Sequence, residues 1–141
     1  MGNNSSHCNT SNFSDYSTLK SKKINKMIVG SIKEDLTIEK RVSLTPETAK
    51  NIIGLGLKVC IEKDYATHLG IQDNNYIDVG VEIKNSSEDV LNSCNALIKV
   101  NFPTINVIEN LRANSILIGV MNPSKNEKQI KEIIKKKISI F

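Results

Sequence analysis

Residues 27–61, MIVGSIKEDLTIEKRVSLTPETAKNIIGLGLKVCI, set out a strand, a capped helix and a second strand in that order. Met27 to Ile32 is a short apolar run of strand length, and a polar loop from Lys33 to Ser43 follows it. Thr45-Pro46-Glu47 then opens a helix. Thr45 can accept a hydrogen bond as N-cap, Pro46 suits the first helical position, and Glu47 complements the positive end of the dipole. Ala49, Ile52 and Ile53 form the buried stripe, Gly54 or Gly56 ends the helix, and Leu57 to Ile61 is the next strand. A strand, a helix and a strand at this spacing make one crossover unit of a parallel sheet.

The pattern repeats towards the C-terminus. A short helix from Asp73 to Val79, closed by Gly80, leads to a brief strand from Val81 to Ile83. Ser86 or Ser87 caps a helix carrying Val90 and Leu91, and Ala96 to Val100 is a strand. Pro103 and Thr104 introduce a short helix ending near Leu111, and Ser115 to Val120 is a strand. Ser124 caps a lysine-rich helix, and Ile138 to Phe141 begins another strand. The alternation predicts an α/β fold, a parallel sheet with helices on both faces, Rossmann-like or flavodoxin-like. The near-continuous apolar strands agree, because parallel strands are covered on both sides. The last strand has no crossover after it, so the sheet reads as truncated at the C-terminus.

Residues 1–26 are rich in Asn, Ser and Thr and lack apolar periodicity, so they read as a disordered extension preceding a domain that spans 27–141. Met1 to Ser6 fits the short myristoylation pattern, with Cys8 as a second lipid site. A pattern that short is met by chance, and a disordered tail or a start codon upstream of the true one at Met27 accounts for it better.

At 141 residues with 39% hydrophobic and 24% charged side chains, the chain suffices for one domain with a sizeable core. Cys8, Cys60 and Cys94 have no regular spacing, which excludes a disulfide scaffold or a cysteine zinc site. No apolar stretch approaches membrane-spanning length. The net charge of +4 is unevenly placed. Residues 125–137 hold six lysines against Glu127 and Glu132, and residues 1–26 hold four lysines against Asp15. Tryptophan is absent and Arg41 and Arg112 are the two arginines, so the lysines of 125–137 read as a solvated helix face opposite Ile130, Ile133 and Ile134, not as a nucleic-acid patch.

Ligands of a parallel α/β sheet gather beyond the carboxyl ends of its strands. Glu34 and Arg41 follow the first strand, Lys99 and Asn101 the strand 96–100, and Asn122 the strand 115–120. These five residues are the candidate cleft-lining set, and they are expected to converge on one rim. Lys99 interrupts an apolar run. It either snorkels to water from the strand end or serves as an anion-binding or proton-transferring lysine. Arg41 is either an ordinary loop arginine or a fork-shaped contact to a carboxylate or phosphate. Gly54-Leu55-Gly56 closes a helix, the reverse of a dinucleotide-binding context, and neither a P-loop nor a nucleophile elbow occurs. His68 has no partner at metal-ligand spacing. No metal site and no complete catalytic set are expected in this chain.

Gly30-Ser31-Ile32-Lys33-Glu34, then Glu39-Lys40-Arg41-Val42-Ser43-Leu44-Thr45-Pro46, resembles the opening signature of the alanine dehydrogenase and pyridine nucleotide transhydrogenase family. Gly56-Leu57-Lys58-Val59, the segment Tyr76 to Val81, and Leu97-Ile98-Lys99-Val100 with Pro103 following continue the likeness over roughly 27–141. Ile32 departs from the family's usual proline and Ile38 from its asparagine, and Asp64-Tyr65-Ala66 stands where a G-A-G turn is common. In the dehydrogenase branch, Arg41 and Lys99 match positions that hold the substrate carboxylate. The region Gly119 to Pro123, which supplies a histidine there, has none, and so looks like the alpha subunit of proton-translocating NAD(P) transhydrogenase. The resemblance implies NAD(H) in the full-length protein and NADP(H) on a partner subunit. It implies a homodimer, docking on membrane and NADP-binding subunits, and a cytoplasmic place peripheral to the inner membrane. It also implies that a hydride-transfer loop and a Rossmann domain would follow Phe141, so that this fragment alone binds no cofactor and is inactive. An alanine dehydrogenase fragment and a stand-alone binding domain of the same fold are the alternatives.

Overall fold

The computed structural model describes residues 26–120 and 122–141, so the expectations for the N-terminal extension and Cys8 lie outside the described residues. Six strands form one sheet: β1 (Ile28–Ser31), β2 (Lys58–Glu62), β3 (Glu82–Lys84), β4 (Ala96–Ile98), β5 (Ile116–Ile118) and β6 (Ser139–Ile140). Their order is β3-β2-β1-β4-β5-β6, and every neighbouring pair is parallel. The helices are α1 (Pro46–Gly54), α2 (Asp73–Ile77), α3 (Ser87–Ser93), α4 (Ile105–Asn110) and α5 (Glu127–Lys135).

Two cores lie on opposite faces of the sheet, as the period of two in a strand requires. Val59 and Ile61 of β2 join Val29, Ala49, Tyr76 and Val81 in one cluster, under α1 and α2. Cys60, between them, joins Leu97, Leu117, Val90, Cys94, Ile108 and Ile133 in the other, under α3, α4 and α5. Helices therefore cover both faces, and the α/β expectation is met.

Local chemistry sets the helix ends. The Thr45 hydroxyl accepts from the Thr48 N–H at 3.2 Å with Pro46 behind it, and the Ser86 hydroxyl accepts from the Asp89 N–H at 3.2 Å. The lysine-rich helix differs from expectation. Asn126 is its N-cap residue, while Ser124 lies in a preceding 3-10 turn and donates to the Asn122 side-chain oxygen at 3.0 Å. Two glycines mark close approaches. A Cβ on Gly30 would sit 2.7 Å from Cys94 Cβ, where α3 crosses β1; one on Gly119 would sit 2.7 Å from the Lys99 carbonyl oxygen. Among the described residues, no helix is long and apolar enough to cross a membrane.

Candidate functional site

The strand order reverses between β1 and β4, because the chain leaves β1 towards β2 and leaves β4 towards β5. At such a switch point the two connections diverge and open a crevice beyond the carboxyl ends. Two sequence-predicted residues meet there. Lys99 Nζ lies 3.4 Å from Glu34 Oε2, and both side chains are buried, 9% and 3% exposed. Glu34 Oε1 accepts the Val100 N–H at 2.7 Å, and Lys99 Nζ reaches the Lys33 carbonyl at 3.4 Å. One carboxylate thus ties the loop after β1 to the end of β4, and the burial of each charge is offset by the other.

Arg41 is elsewhere occupied. Its guanidinium forks onto Glu39, Nε to Oε1 at 2.8 Å and Nη2 to Oε2 at 2.7 Å, and the Arg41 N–H adds a third bond to Oε1 at 2.9 Å. These donors hold the Glu39 carboxyl down at about 2, and the Glu39 carboxylate in turn raises the pKa of Arg41 above its ordinary value. Arg41 itself is 76% exposed. Among the described residues its ion pair is with Glu39, and it shares none with Glu34. Asn101 is half-buried just past the β4 end, and Asn122 is exposed and bonded within its own turn, its carbonyl accepting from Asn126 Nδ2 at 2.9 Å. The structure brings Glu34 and Lys99 into contact, and sets Arg41 and Asn122 each in a local arrangement.

Behind the ion pair lies a hydroxyl cluster that sequence reasoning missed. The Tyr65 hydroxyl receives the N–H groups of Ser43 at 3.2 Å and Leu44 at 3.3 Å. It stands 2.7 Å from Ser31 Oγ and 2.9 Å from Ser43 Oγ, while Ser31 Oγ donates to the Ile98 carbonyl at 2.8 Å. This pins both the end of β4 and the far end of the Arg41 loop. A serine ending an otherwise apolar strand was the available signal for it. Glu39 was missed as well; its place two residues before a scarce arginine was the clue. The loop has one more anchor, His68 Nε2, which donates to the Lys40 carbonyl at 2.8 Å. A shallow cleft of ≈ 170 Å³ opens beside it, lined by Lys33, Leu36, Asp64, Tyr65, Thr67 and His68.

Residues 30–141 match the family described as alanine dehydrogenase/PNT, N-terminal domain. The chain belongs to that family. It is 28% identical over 119 residues to an NAD(P) transhydrogenase alpha-subunit polypeptide of Rickettsia prowazekii, covering 82% of this chain and 31% of the relative. It is 29% identical over 113 residues to an alanine dehydrogenase of Methanococcus maripaludis, covering 80% and 30%. The solved transhydrogenase of Sinorhizobium meliloti superposes with a TM-score of 0.74 at 25% identity, covering 81% and 34%. The chain thus spans about a third of the length of these relatives.

These family relatives are named as oxidoreductases of nucleotide or amino-acid substrates, so the fit of a dinucleotide to the described residues matters. It is poor. A pyrophosphate needs a helix N-terminus directly after β1, with glycines that let backbone approach it. Here β1 runs into the long connection 32–45, and the buried Glu34–Lys99 pair lies beyond the ends of β1 and β4. The adjacent cleft is well below the roughly 300 Å³ at which small-molecule sites begin.

Proposed function

We propose that the chain is the first lobe, residues 27–141, of the NAD(H)-binding alpha subunit of a proton-translocating NAD(P) transhydrogenase. The observation that supports this branch is the pairing of both rim cations with carboxylates of the same chain, Lys99 with Glu34 and Arg41 with Glu39. An amino-acid dehydrogenase needs free positive charge to hold a substrate carboxylate, whereas a lobe that only walls the cleft does not. The lack of a histidine between Gly119 and Pro123 points the same way.

In this reading Glu34, Arg41, Lys99, Asn101 and Asn122 line the rim facing a nucleotide domain encoded beyond Phe141. The full-length subunit binds NAD(H), pairs with a second copy, and docks from the cytoplasm onto membrane and NADP(H)-binding subunits. Hydride passes from NADH to NADP⁺ there, and this lobe alone is inactive. Coding DNA past Phe141 should then carry a G-x-G-x-x-G stretch; a stop codon at that point would favour the stand-alone binding domain. The enzymatic test uses the full-length polypeptide with its membrane partner. NADH-dependent reduction of an NADP analogue is expected, with no NADH oxidation by pyruvate and ammonium. Turnover in the second assay and not the first would assign the chain to the alanine dehydrogenase branch.

A further inference from the structure

Helix α5 buries one side only. Ile133 is 1% exposed within the core, and Ile130 is half-buried beside it. Lys128, Lys131 and Lys135, spaced i, i+3 and i+7, share the opposite side, and all three are exposed. Lys125 and Lys137 flank them, also exposed. Of the three, only Lys131 has an anionic partner among the described residues, the exposed Glu127 one turn earlier at 3.2 Å, a pairing of little strength in water. Lys136 shows the contrast. Its ammonium is committed to the carbonyls of Ile108, Glu109 and Leu111, which end α4. Ile134 sits at the margin of the lysine side and is 69% exposed.

The geometry points to the Lys128, Lys131 and Lys135 face of α5 as an adsorption surface for an anionic lipid bilayer, with Ile134 dipping among the headgroups. Charge complementarity and the apolar side chain carry the assignment together. Lysine presents a flexible point charge suited to a mobile headgroup layer, and its stem lets the helix lie close to the surface. Nucleic acid fits less well, since the face offers no aromatic for base stacking and no arginine fork. The proposal goes beyond the transhydrogenase reading and stands or falls without it.

Vesicle sedimentation with the 141-residue chain tests it, using phosphatidylglycerol–phosphatidylcholine vesicles against pure phosphatidylcholine. Binding is expected to the anionic vesicles alone and to weaken sharply as salt is raised. Each lysine near an anionic leaflet strengthens binding about fivefold, so Lys128→Gln/Lys131→Gln/Lys135→Gln should lower it by about a hundredfold. Ile134→Ser should lower it severalfold with the charge unchanged. Should the triple variant lose its circular dichroism signature, Lys128→Gln and Lys135→Gln singly carry the same test. A variant with Lys20, Lys22, Lys23 and Lys26 changed to Gln separates the basic N-terminal segment, and it should still need the α5 lysines. Absence of binding, equal binding to neutral vesicles, or full binding by the α5 triple variant would overturn the proposal. So would displacement of the vesicles by single-stranded RNA at lower concentration.

Discussion

Glu34 and Lys99 face each other where water is largely excluded, so neither tolerates loss of the other. Removing one partner of a buried pair typically costs about 3–5 kcal/mol, because the remaining charge is stranded. Lys99→Met should therefore destabilise the chain on that order, and Glu34→Gln/Lys99→Met should recover part of the loss, as read from urea midpoints. A single-variant cost below about 1 kcal/mol, the range of exposed pairs, would contradict the burial argument. Glu39 behaves differently, since its pKa falls from an ordinary 4.5 to about 2 in the folded chain. Its contribution to stability is present above about pH 4.5 and is lost as pH falls through 2. Carbon NMR titration should find this low value, and Arg41→Gln should return it towards 4.5. A Glu39 that titrates normally in the parent chain would refute the fork. Burial pushes the Cys60 thiol up to about 11 and that of Cys94 to about 12. Both should resist iodoacetamide at pH 8 until the protein unfolds, a result that peptide mapping checks.

Individual elements were the most legible part of the sequence, because short-range chemistry fixes them. Thr45, Pro46 and Glu47 announced α1 and hold it as read, and Thr45→Ala should cost about 1 kcal/mol in chemical denaturation. The start of α5 differs from the Ser124 cap expected, because Ser124 and Asn126 can both cap and the turn Pro123–Lys125 takes the serine. What pattern reading could not supply was the depth of packing between elements. Gly30 looks like an ordinary strand glycine, yet α3 lies against it closely enough that an added methyl would meet Cys94 and Val90. Gly30→Ala should accordingly destabilise by about 1–3 kcal/mol, the usual cost of overpacking. An unchanged melting temperature would mean that α3 is free to move away. Partner choice was similarly hidden at the site. Lys99 and Arg41 were legible as unusual cations, but which carboxylate each takes depends on a loop path that no periodicity encodes.

Across the whole molecule, the order β3-β2-β1-β4-β5-β6 places one switch point between β1 and β4, and the chain sets its own buried ion pair just beyond those two strands. The fold was readable because crossover handedness leaves few ways to connect six parallel strands. The candidate rim residues were readable only as a list, since whether they converge is a property of the assembled sheet, and of the five only Glu34 and Lys99 form an ion pair with each other. In the proposed reading this lobe walls a nucleotide cleft without holding the nucleotide. NADH is therefore titrated into the purified 141-residue chain, with nicotinamide fluorescence as the signal. No saturable change is expected into the millimolar range, far weaker than a formed dinucleotide site. Saturable binding at micromolar NADH would contradict that reading.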